Sequence, residues 1–147
     1  MHKAIPNMIE AGGGSIINIS SAGGLRCVLR ASAYCSSKAG LIVLTRHVQV
    51  YYGRQGIRSN VVGPGSVRTE MSDINMDRIA EARNLDRERA YRLSVPDQPL
   101  GRPAMPIEIA PLCACLASDE SSFMTGAVLT IDGGSTMLDA GMTAMIR

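Results

Sequence analysis

Apolar residues along the chain follow two periods, one typical of a strand and one typical of a helix. Residues 15–20 form a short apolar run with glycines on both sides, which predicts a buried parallel strand. Apolar residues from 33 to 52 recur at helical spacing and predict a helix. Ser32 is predicted to cap its start, and Gly53 is predicted to be its C-terminal glycine.

The other segments give weaker signals. Residues 1–11 read as the end of a helix, and residues 12–14, three glycines, read as a flexible turn. Between 70 and 103 the chain is rich in arginine interleaved with acidic residues, so most of this segment is predicted to be a solvated helical face. An anion-binding role for those arginines stays open.

Composition narrows the class of protein. The length of 147 residues suits one domain, and no repeat or linker divides it, so residues 1–147 are treated as a single unit. A net charge of +2 with no basic cluster and no tryptophan argues against nucleic-acid binding. The four cysteines lack metal-ligand spacing, and neither a secretory signal nor a membrane-length apolar run is recognisable. We therefore expect a cytoplasmic protein with reduced thiols and no bound metal.

Three polar side chains form the most specific chemical pattern. Tyr34 and Lys38 are four residues apart, so a helix would project both from one face. Ser21 lies just beyond the predicted strand, at the edge where open α/β sheets bind ligands. A phenol ordinarily titrates near pH ~10, so proton transfer near neutrality needs a close positive charge in a water-poor pocket. Alone, the tyrosine–lysine spacing also arises by chance, and Ser21 would be a turn residue or cap.

Taken with its neighbours, this pattern resembles the short-chain dehydrogenase/reductase family. In that family the catalytic serine lies thirteen residues before the tyrosine, as Ser21 does here before Tyr34. Residues 56–69 are similar to the family's next strand and its proline–glycine loop, and residues 125–134 to its last strand and following turn. The resemblance implies an α/β fold: the C-terminal half of a Rossmann-type doubly wound parallel sheet, with about three strands and flanking helices.

The resemblance also implies a reaction and its residues. Tyr34 would exchange a proton with a small-molecule carbonyl or secondary alcohol, Lys38 would assist it and hold the nicotinamide ribose, and Ser21 would orient the reacting oxygen. Strand alternation points Ser20 to the opposite face. The cofactor would be NAD or NADP, and the residues expected to contact it are Tyr34, Lys38, Pro64, Gly65, Val67 and Thr69. Gly65 is expected to let the backbone approach the cofactor.

Several parts of the family pattern are missing from this sequence. No glycine-rich phosphate loop and no residue selecting NAD or NADP are found. The chain therefore looks like the C-terminal catalytic half of such a domain, and we expect it to bind cofactor poorly alone and to be slow or inactive. The strand at 15–20 would then have an unpaired edge that can recruit another chain.

The sequence is compatible with three functions. The first is an NAD(P)-dependent oxidoreductase, expected to be a homo-oligomer with no membrane partner. The second is a catalytically impaired member acting through subunit association, since in the family the helix with the tyrosine commonly forms the interface. The third is a hydrolase with Ser21 as nucleophile, which lacks a nucleophile-elbow motif and an evident histidine partner. The substrate and the direction of reaction are not determined.

Overall fold

A computed structural model describes Met1 and residues 3–137 of the chain. The predicted helix end near the N-terminus, the predicted strand before Ser21 and the predicted helix that contains Tyr34 all form. In chain order, the helices and strands are α1 (Ala4–Glu10), β1 (Gly14–Ile19), α2 (Ser32–Tyr52), β2 (Ile57–Pro64), α3 (Glu70–Arg83), α4 (Arg87–Ser94), α5 (Pro106–Ala117) and β3 (Val128–Ile131).

The three strands form one parallel sheet in the order β1-β2-β3. Gly14 of β1 pairs with Ile57 of β2, and Pro64 at the end of β2 pairs with Ile131 of β3. The carboxyl ends of all three strands therefore meet at one edge of the sheet. The α/β fold with a three-stranded parallel sheet and flanking helices is confirmed, and within the described residues β1 is an edge strand.

The central strand, β2, carries the most deeply buried side chains. Val61 and Val62 are fully buried, as is the polar Asn60. Asn60 satisfies its amide by donating to the Met124 carbonyl and accepting from the Ala127 N–H. Below the sheet, a cluster of Ile5, Ile16, Val48 and Ile57 joins α1 and α2 to the first two strands. These contacts fix where α2 lies relative to the end of β1.

The predicted N-cap of α2 is wrong, whereas Gly53 is its C-cap residue as predicted, although without left-handed geometry. The N-cap is Ala31, with no side-chain capping bond, and Ser32 is already the first helical residue. Gly53 has a φ of −60° and continues in right-handed geometry, because a 3₁₀ turn over Gly53–Gln55 follows the helix. The left-handed glycine is Gly56, with φ of 78°.

The glycines before β1 form a packed turn. A Cβ on Gly13 would lie 2.6 Å from the Gly56 carbonyl oxygen, which is closer than a carbon and an oxygen can approach. The same Gly56 carbonyl accepts a hydrogen bond from the Gly14 N–H at 3.1 Å. The turn at 12–14 was predicted to be flexible, but its glycines allow this close contact between the starts of β1 and β2.

Helices α3 and α4 pack against each other and are joined by ion pairs, and their presence confirms the helical prediction for much of 70–103. Arg87 pairs with Asp77 at 2.5 Å and with Asp73 at 3.6 Å. Arg68, on the loop before α3, pairs with Glu88 of α4. Arg68 and Arg87 therefore face carboxylates of the same unit. Anion binding by the other arginines of residues 70–103 stays a prediction.

Candidate active site

Ser21 lies directly after β1, at the carboxyl edge of the sheet. Its Oγ accepts a hydrogen bond from the Gly23 N–H at 3.0 Å, so the hydroxyl proton is left to donate elsewhere. Ser20 differs: it is 4% exposed and donates its hydroxyl to the Lys38 carbonyl at 2.8 Å. Of the two neighbouring hydroxyls, the one on Ser21 is accessible and the one on Ser20 is used to attach the strand end to α2.

Tyr34 and Lys38 lie together on the first two turns of α2. The Lys38 Nζ is 5.7 Å from the centroid of the Tyr34 ring, and it donates to the Ile19 carbonyl at 3.2 Å. An ammonium group has three protons, so two remain for other acceptors. Among the described residues the Tyr34 hydroxyl has no hydrogen-bond partner, and the side chain is 48% exposed.

The turn after Ser21 brings the serine and the tyrosine to the same place. A Cβ added to Gly23 would lie 3.3 Å from Cε1 of Tyr34 and 3.4 Å from Oγ of Ser21. Both side chains therefore border the Gly23 backbone, and a larger residue there would fill the space between them. The structure thus brings Ser21, Tyr34 and Lys38 together at one edge of the sheet.

Two features of this arrangement escaped the sequence reasoning. Gly24 packs against the backbone of Lys38, and the carbonyl of Ile19 holds the Lys38 ammonium. The glycine pair directly after the two serines was a usable signal, because consecutive glycines before a helix indicate close backbone approach. The pairing of Lys38 with Ile19 had no sequence signal.

The site is open on the side of Tyr34. Half of the phenol surface is accessible, so the described residues do not by themselves form the water-poor pocket that proton transfer requires. A bound cofactor and substrate would have to exclude water from it.

The proline–glycine loop after β2 is held by the turn after β3. A Cβ on Gly65 would lie 2.8 Å from Cα of Asp132, and the Gly65 N–H donates to the Ile131 carbonyl at 3.2 Å. Close approach to Asp132 therefore accounts for glycine at this position, a different reason from the expected approach of a cofactor. Pro64, the last residue of β2, enters this loop at the same edge of the sheet as Ser21.

Asp132 organises the turn that supports Gly65. Burial opposes its ionisation, but hydrogen bonds led by those from Thr136, together with Gly134 and Ser135, lower its pKa below the usual range. The carboxylate accepts the backbone N–H of Thr136 at 2.8 Å and that of Gly134 at 3.0 Å. The predicted turn at 132–134 is therefore confirmed as an acid-capped turn, with both glycines at positive φ.

Val67 and Thr69 lie on the segment that leads into α3. Val67 forms a parallel bridge with Ala104, whose hydrogen bonds use the Ser66 carbonyl and the Arg68 N–H. In that geometry the backbone N–H and C=O of Val67 point to the opposite side. Thr69 caps α3, with its Oγ1 accepting from the Ser72 N–H at 3.3 Å. Its hydroxyl thus already has a structural partner.

The α3–α4 unit contains a second phenol with a different role. Tyr91 is 2% exposed, donates to Asp73 at 2.7 Å and has the Arg68 guanidinium 4.8 Å from its ring centroid. Burial, with the Asp73 carboxylate acting in the same direction, raises the pKa of Tyr91. A phenol that stays protonated and buried has a structural role. Tyr34, in contrast, is accessible and lies at the sheet edge.

Other chemical sites find no support among residues 1 and 3–137. His47 stacks on Tyr51 with ring centroids 4.4 Å apart, more than two helical turns beyond Lys38, so it does not serve Ser21 as a base. No group of three metal-binding side chains occurs in this part of the chain. Over the same residues, no helix has the length and apolarity needed to cross a bilayer.

Comparisons with known proteins match most of this chain. The family described as enoyl-(acyl carrier protein) reductase matches residues 1–136. A trans-4-hydroxycyclohexanecarboxylate dehydrogenase of Sinomonas cyclohexanicum is 43% identical over 136 residues, which are 92% of this chain and 46% of that protein. The chain spans about half the length of the curated relatives it matches.

Solved structures give the same result for the fold. An aldohexose dehydrogenase of Thermoplasma acidophilum in ligand-free form superposes with a TM-score of 0.86 at 33% identity, over 93% of this chain and 53% of that one. A variant of actinorhodin polyketide ketoreductase with NADPH superposes with a TM-score of 0.81 at 31% identity, over 90% and 51%. The chain belongs to the short-chain dehydrogenase/reductase family of oxidoreductases, with the sheet edge at Ser21, Tyr34 and Lys38 in its matched region.

Proposed function

We propose that this chain carries the proton-transfer site of an NAD(P)-dependent dehydrogenase or reductase that interconverts a secondary alcohol and a carbonyl. The observation that carries the proposal is the meeting of three groups at one edge of the sheet. The Lys38 ammonium is 5.7 Å from the Tyr34 ring centroid, and Tyr34 and Ser21 border the same glycine.

Tyr34 is the proposed proton donor and acceptor. Its hydroxyl is accessible and has no partner among the described residues, so a substrate oxygen can accept its proton or return one. Ser21 can donate to the same oxygen because its own Oγ already accepts the Gly23 N–H, which leaves its proton free. Lys38 supplies the positive charge that would stabilise a phenolate once bound cofactor and substrate exclude water from the site.

The residues at this edge fit the nicotinamide end of a dinucleotide. Lys38 retains two N–H donors for ribose hydroxyls, and Val67 presents a backbone N–H and C=O on the side away from Ala104. Pro64, Gly65 and Thr69 lie on the same segment as Val67, and we propose that they border the cofactor. When bound, the nicotinamide would supply or accept the hydride.

The choice between NAD and NADP stays open, because the described residues include no group placed to select between them. We propose that residues 1–147 correspond to the C-terminal catalytic half of the family's domain; the chain covers about half of each relative, which supports the size of this unit. We expect weak cofactor binding and slow turnover from this chain alone.

Tyr34→Phe tests the proposal directly. The substitution removes the titratable hydroxyl and keeps the ring, so turnover should fall by about 10²–10⁴-fold while cofactor binding stays within a few-fold. The probes are trans-4-hydroxycyclohexanecarboxylate and an aldohexose, the alcohols named for two relatives, each with NAD or NADP. Turnover is followed by absorbance of the reduced nicotinamide, and binding by a saturable change in its fluorescence.

Tyr51→Phe is the matched control, because Tyr51 lies on the same helix, is 64% exposed and stacks on His47 away from the site. Its turnover should equal that of the unsubstituted chain. The test compares rates, so a low absolute rate does not weaken it. Equal turnover in both variants would refute the assignment of Tyr34.

One observation favours a second function, association through α2. Beyond the site, this helix exposes Val43, Val50 and Tyr51, which are 65%, 75% and 64% accessible. Exposed apolar side chains on one element are typical of an interaction surface. A concentration-dependent dimer in sedimentation, together with no saturable nicotinamide fluorescence, would favour association over catalysis.

A further inference from the structure

Two cysteines lie on the wall of one surface cavity next to the proposed proton donor. Cys27 is exposed and Cys35 is half-buried, and both line an open cavity whose other walls include Gly23, Gly24 and Ala39. Glycine and alanine have little or no side chain. The small residues therefore leave space between the two thiols and the surrounding backbone.

The sulfur of Cys35 already lies against the backbone next to Cys27. The Val28 N–H donates to the Cys35 Sγ at 3.4 Å. That nitrogen is bonded to the carbonyl carbon of Cys27, so two covalent bonds separate it from the Cys27 Cα. Disulfides span about 4.4–6.8 Å between Cα atoms. The contact keeps the Cys35 sulfur beside the Cys27 backbone, and the Cys27 side chain and its loop must move to bring the two sulfurs together.

The movement required to form the bond falls on the exposed loop around Cys27. Residues 25–30 are all exposed, and Arg30 adopts a positive φ of 60° that few non-glycine residues hold. Cys35, in contrast, is fixed on the first turns of α2, where its N–H donates to the Ala31 carbonyl at 2.9 Å. An exposed loop beside a fixed thiol is the arrangement that allows a bond to form without repacking the core.

We propose that Cys27 and Cys35 form a reversible disulfide when a hydroperoxide oxidises the protein. The exposed Cys27 sulfur attacks the peroxide: an S–O bond forms, the O–O bond breaks and water (or an alcohol from an organic hydroperoxide) leaves. Cys35 then attacks that sulfur: the S–S bond forms, the S–O bond breaks and a second water leaves. Two thiols lose two electrons and one peroxide gains them, so the step is balanced. A dithiol reductant reverses it.

The disulfide would act on the site because both cysteines adjoin it in the chain. Cys35 follows Tyr34, and Val28 follows Cys27 with its side chain at the same glycine, since a Cβ on Gly23 would lie 3.5 Å from Cγ2 of Val28. Joining the cysteines holds Val28 beside the Tyr34 ring and narrows the crevice in front of it. This consequence rests on the proposed function, and it predicts loss of turnover on oxidation and recovery with dithiothreitol.

Peptide mapping after hydrogen peroxide treatment tests the disulfide independently of activity. Trypsin places Cys27 in the peptide 27–30 and Cys35 in the peptide 31–38, whereas Cys113 and Cys115 share a third peptide. Free thiols are blocked with N-ethylmaleimide before digestion. We expect the two short peptides to appear joined, with the intact mass lower by two hydrogens, and to separate after dithiothreitol.

Cys113→Ser is the control variant and should retain the joined peptides, whereas Cys27→Ser and Cys35→Ser should lose them. The proposal is overturned if oxidised wild-type protein shows separate cysteine oxyacids, intermolecular links or links to Cys113 and Cys115 without the 27–35 pair. Mass reports the bond and turnover reports the site, so a reduced protein without turnover would bear only on the effect of the disulfide on activity and would leave the disulfide result standing.

Discussion

Gly24→Ala is the sharpest test of how the turn after Ser21 packs on α2. A Cβ on Gly24 would lie 2.9 Å from both the carbonyl carbon of Lys38 and the Oγ of Ser20, and 3.1 Å from the Lys38 carbonyl oxygen. Two of these contacts involve helix backbone, which cannot rotate aside. Gly24 is not at a positive φ, so alanine can adopt its backbone conformation and the substitution isolates the steric effect.

Forcing one methyl group into a packed site typically costs about 1–3 kcal/mol. For a domain of this size, each kcal/mol lowers the melting temperature by about 2–4 °C. We therefore expect Gly24→Ala to unfold at lower urea concentration, with an unchanged slope of unfolding free energy against urea. Displacement of the Lys38 turn should also reduce turnover, since Ser20 and Gly24 both contact the Lys38 carbonyl group.

Gly40→Ala is the matched control and should have the opposite sign. Gly40 lies inside α2, is exposed, and an added Cβ would meet nothing within 4 Å. Alanine in a helix interior is favoured over glycine by about 0.5–1 kcal/mol. A Gly24→Ala protein as stable as the wild type, or a Gly40→Ala protein less stable than it, would refute this account of the packing.

Two further predictions concern the α3–α4 unit and the start of α5. A hydrogen bond from Arg102, with one from the Met105 N–H, lowers the pKa of Glu108 to about 2. The ionised Glu108 therefore stabilises the folded protein fully above its ordinary pKa near 4.5, and this stabilisation is lost as pH falls toward about 2. Melting temperature measured across this range should therefore fall more steeply in wild type than in Glu108→Gln; parallel curves would contradict the ion pair. Tyr91→Phe removes the buried hydrogen bond to Asp73 and should destabilise the protein by about 1–3 kcal/mol in urea titrations, whereas an unchanged midpoint would show that this bond contributes nothing.

The sequence was sufficient to predict the elements whose apolar residues follow a simple pattern. The apolar run at 15–20 and the helical spacing from 33 to 52 correctly predicted β1 and α2, and the four-residue separation of Tyr34 and Lys38 correctly placed them on one face. These features depend on residues close in the chain. Their geometry follows from backbone period alone.

Features set by contacts across the fold could not be predicted. The N-cap of α2 is Ala31 instead of the predicted Ser32, because the preceding loop forms a turn in which the Ala31 N–H donates to the Val28 carbonyl. Gly65 is glycine because Asp132, more than sixty residues later, lies against it. Tyr91 looked like part of a solvated face, but its hydroxyl and ring are paired across two helices. For Gly65 and Tyr91 the deciding partner is distant in sequence, whereas the α2 cap depends on a turn within the preceding loop.

The carbonyl of Ile19, the hydroxyls of Ser20 and Ser21, the glycine turn and the first two turns of α2 all fall within twenty consecutive residues. Contacts between such near neighbours have low contact order, and the entropic cost of closing a short loop is small. This strand–turn–helix segment can therefore assemble its polar groups early in folding, ahead of the long-range pairing of β2 with β3. Recombination that exchanges the remainder of the sheet would leave these groups in register with one another.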